Sequence, residues 1–158
     1  MNDLSAPGAV GDYAASIGTT GFDYPVTLPV PNPPPPIQPT GAFVQTNGLR
    51  SADFPDGLSN TLFFGEKHVP NGAKLQPPYD CNLYDGHNPI CSTRSAGPGY
   101  PIAQGPGDLR IVFGGPHVGN CLFAFGDGTV RPVRNSVDEF TLGLLSQRND
   151  GLPIQGDY

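Results

Sequence analysis

Apolar and polar positions are most clearly ordered between residues 109 and 134. LRIVF (109–113), CLFAF (121–125) and TVRPV (129–133) are short apolar-rich runs, separated by the turn-forming stretches GGPHVGN and GDG. That spacing predicts an antiparallel meander of three strands. Asp127-Gly128, flanked by Phe125 and Val130, reads as a type I′ hairpin turn, whose two central positions both need positive φ. Ser136-Val137-Asp138-Glu139 then has the form of a capping box, with Ser136 as N-cap and Glu139 at N3. Val137, Phe140, Leu144 and Leu145 follow near helical spacing. A helix of about three turns is expected, ending near Asn149-Asp150-Gly151.

The first half is less regular. AVGDYAASIGTT (9–20) can supply a short strand, GAFVQT (41–46) reads as another, and NTLFFGEKHV (60–69) as a third with both faces covered. Between the last two, Pro55-Asp56-Gly57 marks a turn, and Ser59 and Asn60 can bond nearby backbone, giving a tight, side-chain-capped corner. Residues 25–39 contain eight prolines and cannot donate to a ladder, so polyproline II or irregular loop is expected. A proline-stiffened surface loop is the plainer reading of that segment, and a ligand for an aromatic-lined groove the functional one. Residues 70–108 break too often for an element to grow, and a loop of that length is either functional or pinned. The fold expected is α+β or mostly β: a small twisted antiparallel sheet of four to five strands, a C-terminal helix and long Pro/Gly-rich loops, all in one domain over residues 1–158.

Composition narrows the function. Twenty-two glycines and 20 prolines among 158 residues approach the level of low-complexity chains, and only the patterned second half argues against that reading. The net charge of −6 and the scatter of eight Lys and Arg residues disfavour nucleic acid and anionic membrane surfaces. No apolar run is long enough to span a membrane, and MNDLSAPGAV lacks a basic, then apolar, signal pattern. As written, the chain reads as soluble, with no export signal and no membrane insertion. Cys81 and Cys91, ten residues apart, suit a disulfide that would remove about 2–3 kcal/mol of unfolded-state entropy and would imply an oxidising compartment. Two unrelated thiols are the alternative. Cys121, inside the apolar run, is expected as a buried free thiol.

Two blocks carry a family resemblance: DGLSNTLFFGE (56–66), and FGGPHVGNCLFAFGDGTVRPV (113–133) followed by SVDEFTLGLLSQRNDG. Together they resemble the bacterial prepilin-type H-x9-DG family, in which a DGxSNT…GE block precedes an FG…H-x9-DG-[ST]-V-R block, a helix and a short tail. The matching positions are Asp56, Gly57, Ser59, Asn60, Thr61, Gly65, Glu66, His117, Asp127 and Gly128. The resemblance implies the soluble domain of a pilin- or pseudopilin-like protein of the cell envelope or exterior, with other envelope or pilus-like proteins as partners. The leader and long apolar assembly helix typical of the family are absent from this sequence, and Gly126 stands where bulkier residues are common.

Candidate chemistry is thin. His117 and Asp127 would need to meet within about 2.6–3.2 Å to act as a pair. The strand between them places them on the order of 20 Å apart, so a partner of His117 should come from the DGLSNTLFFGE block. Asp56, Ser59, Asn60 and Glu66 include the oxygen ligands calcium prefers, with Asp56, Asn60 and Glu66 as candidates, but their spacing is not that of a helix-loop-helix calcium site, and turn capping is the plainer account. No other cofactor is indicated. Glu66 with Asp127 or Asp56 is a conceivable carboxylate pair for glycoside hydrolysis. Ser59, His117 and an acid is a conceivable triad, although no G-x-S-x-G elbow exists. His68 and His87 read as exposed loop histidines. Tyr79, Tyr84 and Tyr100 can be read as a sugar-stacking face or as scattered surface tyrosines. The first expectation is a non-enzymatic head domain serving assembly or surface interaction. Its alternatives are a small glycoside hydrolase using Glu66, Asp127, Asp56 or His117, and a carbohydrate- or solute-binding module.

Overall fold

The two most apolar runs of the sequence lie side by side at the centre of a five-stranded sheet. The computed structural model describes residues 8–20, 40–44, 48–84 and 89–158. The sheet comprises β1 (Tyr13–Ser16), β2 (Leu62–Glu66), β3 (Thr93–Arg94), β4 (Asn120–Phe125) and β5 (Val130–Arg134), in the order β3-β1-β2-β4-β5. One helix, α1 (Glu139–Ser146), follows, and the fold is a small α+β one.

Strict alternation along β4 buries Cys121, Phe123 and Phe125 on one face. That face meets Leu62, Val133, and Leu142 and Leu145 of α1 in the main core cluster, as period-2 and period-3.6 patterns predict. Phe113 and Phe123 meet edge to face at 5.1 Å. Both rings press on β2 at Gly65, where a Cβ would come within 2.5 Å of the Phe123 ring and 2.7 Å of the Phe113 ring. At the sheet edge, β5 carries Pro132 in its middle and Arg131 and Arg134 around it. Proline and charge there discourage another strand from adding on.

Several sequence expectations are corrected. The sheet is mixed, because β1 pairs with β3 in parallel, while the other pairings are antiparallel. Residues 109–113 form no strand: only Phe113 bridges, to Lys67. The Asp108 carboxylate accepts from the backbone of Gln104 and Arg110 and from the Arg110 guanidinium, bending a backbone that would otherwise join a ladder. Residues 41–44 are also not a strand, since the Gly41 carbonyl accepts from Arg148 and the Thr40 carbonyl from the Arg148 N–H. Residues 45–46 of that run, the proline-rich loop 25–39 and His87 lie outside the described residues.

The helix is two turns long, not three. Asp138, not Ser136, caps it by accepting from the Thr141 N–H at 2.8 Å. Glu139 reaches across to the Gly99 N–H at 2.7 Å instead of closing a capping box. It stops at Ser146 because the next backbone donors go elsewhere: Arg148 N–H to Thr40, and Asp150 and Gly151 N–H to Asp56.

The long 70–108 segment is pinned. Cys81 and Cys91 form a disulfide and Cys121 is a buried free thiol. Lys67 Nζ and Asp80 Oδ1 form a buried ion pair at 3.1 Å, and Asp80 Oδ2 also accepts from the Leu75 N–H. Arg94, 1% exposed, donates to the carbonyls of Ile90, Thr93 and Tyr79. Burial pushes its guanidinium down to about 10, partly offset by the Asp80 carboxylate.

Candidate functional site

β2 ends on Glu66, and the structure turns that residue into a junction. Its carboxylate is largely buried. Oε2 accepts from the Leu122 N–H at 2.8 Å, Oε1 lies 3.2 Å from Nε2 of His117, and the backbone carbonyl accepts from the Gly114 N–H at 2.9 Å. One side chain therefore fastens β2 both to β4 and to the 114–119 turn. Gly115 is small for this reason: a Cβ there would sit 2.1 Å from Glu66 Oε2. The His117 side chain is about half exposed. Cys121, close by, is chemically quiet: burial first, and the Glu66 carboxylate second, push its thiol well above the ordinary range.

The other end of β4 is built from turn contacts. Asp127 Oδ1 accepts from the Thr129 hydroxyl at 2.7 Å and the Thr129 N–H at 2.9 Å. The Thr129 hydroxyl is the main reason its carboxyl lies below the usual range. The turn is not the expected type I′. Gly128 has φ +85°, but among described non-glycine residues only Leu75 has positive φ. Gly128 N–H donates to Phe125 and Phe125 N–H to Thr129, which is a three-residue loop closed by a left-handed glycine bulge.

Beside that hairpin sits the capped corner. Asp56 Oδ2 accepts from Asp150 N–H at 2.7 Å and Oδ1 from Gly151 N–H at 3.0 Å, so both oxygens clamp the chain after α1. Asn60 Nδ2 donates to the Asp56 carbonyl, and Thr61 Oγ1 to the Gly57 carbonyl. The Ser59 carbonyl accepts from the Arg131 guanidinium, which lies 3.4 Å above the Phe125 ring centroid. Gly126 N–H donates to the Thr61 carbonyl, joining corner to hairpin.

The site residues thus fall into two groups at opposite ends of the β2–β4 pair, because Leu62 pairs with Phe125 and Gly65 with Phe123. At about 3.3 Å per residue, the six residues of β4 separate the ends by roughly 17–20 Å. Glu66 and His117 lie at one end; Asp56, Ser59, Asn60, Thr61, Asp127 and Gly128 lie at the other. Glu66 and Asp127 are therefore not placed as a glycosidase pair, and Ser59 and His117 are not placed as a nucleophile and its base. Among the described residues no hydroxyl or thiol is hydrogen-bonded to His117. Asp56, Asn60 and Glu66 share no cation cage: Asp56 is spent on two N–H groups, the Asn60 amide donates, and Glu66 is elsewhere. No group of three His, Cys, Asp or Glu side chains is arranged for a metal among the described residues.

The remaining candidates are local. His68 is buried, not exposed, with Nε2 2.7 Å from the Asp108 carbonyl. Tyr79 donates to the Leu109 carbonyl, Tyr100 closes a backbone turn with Gly97, and Tyr84 is exposed; each belongs to a different turn. The buried Lys67, Asp80 and Arg94 were missed from sequence. Lys67, directly after the apolar LFFG and between Glu66 and His68, was the available signal, because a lysine in a covered strand needs a partner.

No curated protein and no solved structure matches the chain. Residues 10–139 match a family described as a protein of unknown function, DUF1559. That span contains both ends of the β2–β4 pair, with Glu66 and His117 at one and Asp56 and Asp127 at the other. The chain belongs to the DUF1559 family, a family of prepilin-like bacterial proteins.

Proposed function

We propose that this chain is the exposed head of a pilin- or pseudopilin-like cell-envelope protein, with a structural or surface-interaction role toward other envelope proteins. The observation that carries the reading is where the polar atoms of the motif residues go. Asp56, Asn60, Thr61, Glu66 and Asp127 all spend them on this chain's own backbone and side chains. Such residues stabilise a shape, whereas a catalytic set leaves groups converging on a shared space. A disulfide within the long loop suits an oxidising compartment such as the envelope or exterior. Family membership points the same way. Among the described residues no helix is long and apolar enough to cross a membrane, so the folded part suits exposure to solvent.

The test is protease shaving and thiol labelling of intact cells producing the protein from its native gene. The expected result is cleavage at the surface and Cys81 and Cys91 resistant to alkylation before reduction. Protection from protease together with freely alkylated Cys81 and Cys91 would overturn the proposal. Turnover of chromogenic glycosides or esters that is lost in Glu66→Ala or Asp127→Ala would favour the hydrolase instead.

A further inference from the structure

Asparagine or aspartate stands directly before glycine at four described places: Asp56-Gly57, Asn71-Gly72, Asp127-Gly128 and Asp150-Gly151. At such a step the glycine nitrogen can attack the preceding side-chain carbonyl carbon, because glycine has no side chain to crowd the approach. The fold holds that nitrogen back in three of the four. Gly57 N–H donates to the Phe54 carbonyl, Gly128 N–H to the Phe125 carbonyl and Gly151 N–H to Asp56 Oδ1. Each of these three steps also offers an acid side chain, whose ionised form is a poor electrophile.

Asn71-Gly72 differs on every count. Both residues are exposed, and nothing lies within 4 Å of the place a Cβ on Gly72 would take. Among the described residues the Asn71 side-chain amide, the Asn71 carbonyl and the Gly72 N–H have no hydrogen-bond partner. The turn is held by its flanks instead: Asn71 N–H donates to the Pro106 carbonyl at 2.8 Å, and Ala73 N–H to the Pro70 carbonyl at 3.0 Å. Pro70 and Ala73 are themselves buried. No hydrogen bond therefore resists rotation of the peptide unit between Asn71 and Gly72, and that rotation brings its nitrogen toward Asn71 Cγ. Gly72, at φ +82°, has the conformational freedom to follow.

We propose that Asn71 is a site of spontaneous deamidation, with the chain's own Gly72 nitrogen as nucleophile and water as the only co-reactant. The Gly72 nitrogen gives up its proton and bonds to Asn71 Cγ, the Cγ–Nδ2 bond breaks, and Nδ2 takes up a proton and leaves as ammonia. One water then opens the cyclic imide. Opening at Cγ leaves an aspartyl residue; opening at the main-chain carbonyl carbon leaves an isoaspartyl residue, with the chain running through the former side chain. Nothing is oxidised or reduced. Either product adds a negative charge to a chain whose net charge is −6, and the isoaspartyl form also lengthens the main chain between the buried Pro70 and Ala73. The site stands independently of the envelope role.

Peptide mapping of the intact, folded chain tests it. After incubation at neutral and mildly alkaline pH, brief trypsin digestion yields residues 68–74 as one peptide, separate from those that carry Asn47, Asp56, Asp127 and Asp150. The expected result is that peptide 68–74 is converted to two acidic products, aspartyl and isoaspartyl, each carrying one 18O when the incubation is in labelled water. Conversion should be faster at the higher pH, because the attacking nitrogen must lose its proton. Asn71→Gln, a change at an exposed side chain, should abolish conversion of this peptide. Retention of the Asn71 amide in the folded chain over a time in which the urea-unfolded chain converts would overturn the proposal. So would an aspartyl product formed without any isoaspartyl one, since direct hydrolysis bypasses Gly72.

Discussion

The two acids at opposite ends of the β2–β4 pair, Glu66 and Asp127, are held by different physics. At the Glu66 end a buried carboxylate joins three pieces of chain, taking one N–H from β4 and one imidazole from the turn that precedes it. At the Asp127 end the carboxylate is exposed and bonds only two residues ahead, to Thr129. The first contact spans 51 residues or more of sequence and closes the fold; the second shapes one hairpin. Nine residues separate His117 from Asp127 because β4 and its flanking turns lie between them, so the spacing measures a strand, not a reaction centre.

The most severe way to break this contrast is to remove what lies between the ends. Phe123 is fully buried opposite Gly65 and against Phe113. Phe123→Ala should cost about 3–5 kcal/mol and loosen both ends together, seen as a lowered denaturant midpoint and faster hydrogen exchange at Leu122 and Phe125 alike.

The cysteines sharpen the contrast, because the disulfide lies in the layer that packs beside Glu66 through Lys67 and Asp80. Cys81→Ser with Cys91→Ser should lose about 2–3 kcal/mol and speed exchange around residues 67–94. The Phe125–Thr129 hairpin bonds should keep their relative protection.

The contrast also explains what was legible in the sequence. β2, β4, β5 and the disulfide could be read, because alternation, turn residues and Cys spacing are local signals. The 109–113 strand, the described part (41–44) of the 41–46 strand and the third turn of the helix were misread because polar groups captured the backbone there. In the first the capture is local, by Asp108; in the other two it comes from far along the chain, by Arg148 and by Asp56. Pairings across 90 or more residues leave no periodic trace. The Lys67–Asp80 pair and Arg94 were hidden for another reason: their partners lie in irregular turns that have no hydrophobic period. The site divides likewise: the corner at Asp56 and Asn60 was readable as a capped turn, whereas the Glu66–His117 contact was readable only as a block from which a partner should come.

Smaller changes probe each end singly. Glu66→Ala leaves the Leu122 N–H without its acceptor and should cost about 1–3 kcal/mol, checked by chemical denaturation. Its hydrogen-exchange signature should be confined to residues 114–122. Asp127→Ala should have the smallest effect, a local rise in exchange at Thr129 with no change around His117. Because Asp127 titrates below the usual carboxylate range in the folded chain, its contribution to the hairpin is complete at neutral pH. That contribution is lost as pH falls through the depressed folded value.

The most direct measurement is the ring 15N and 13C spectrum of His117 at neutral pH in three proteins: the unaltered chain, Glu66→Gln and Asp127→Asn. The account predicts that the His117 ring resonances move in Glu66→Gln and coincide with those of the unaltered chain in Asp127→Asn. A His117 spectrum that moves in Asp127→Asn and stays fixed in Glu66→Gln would contradict it.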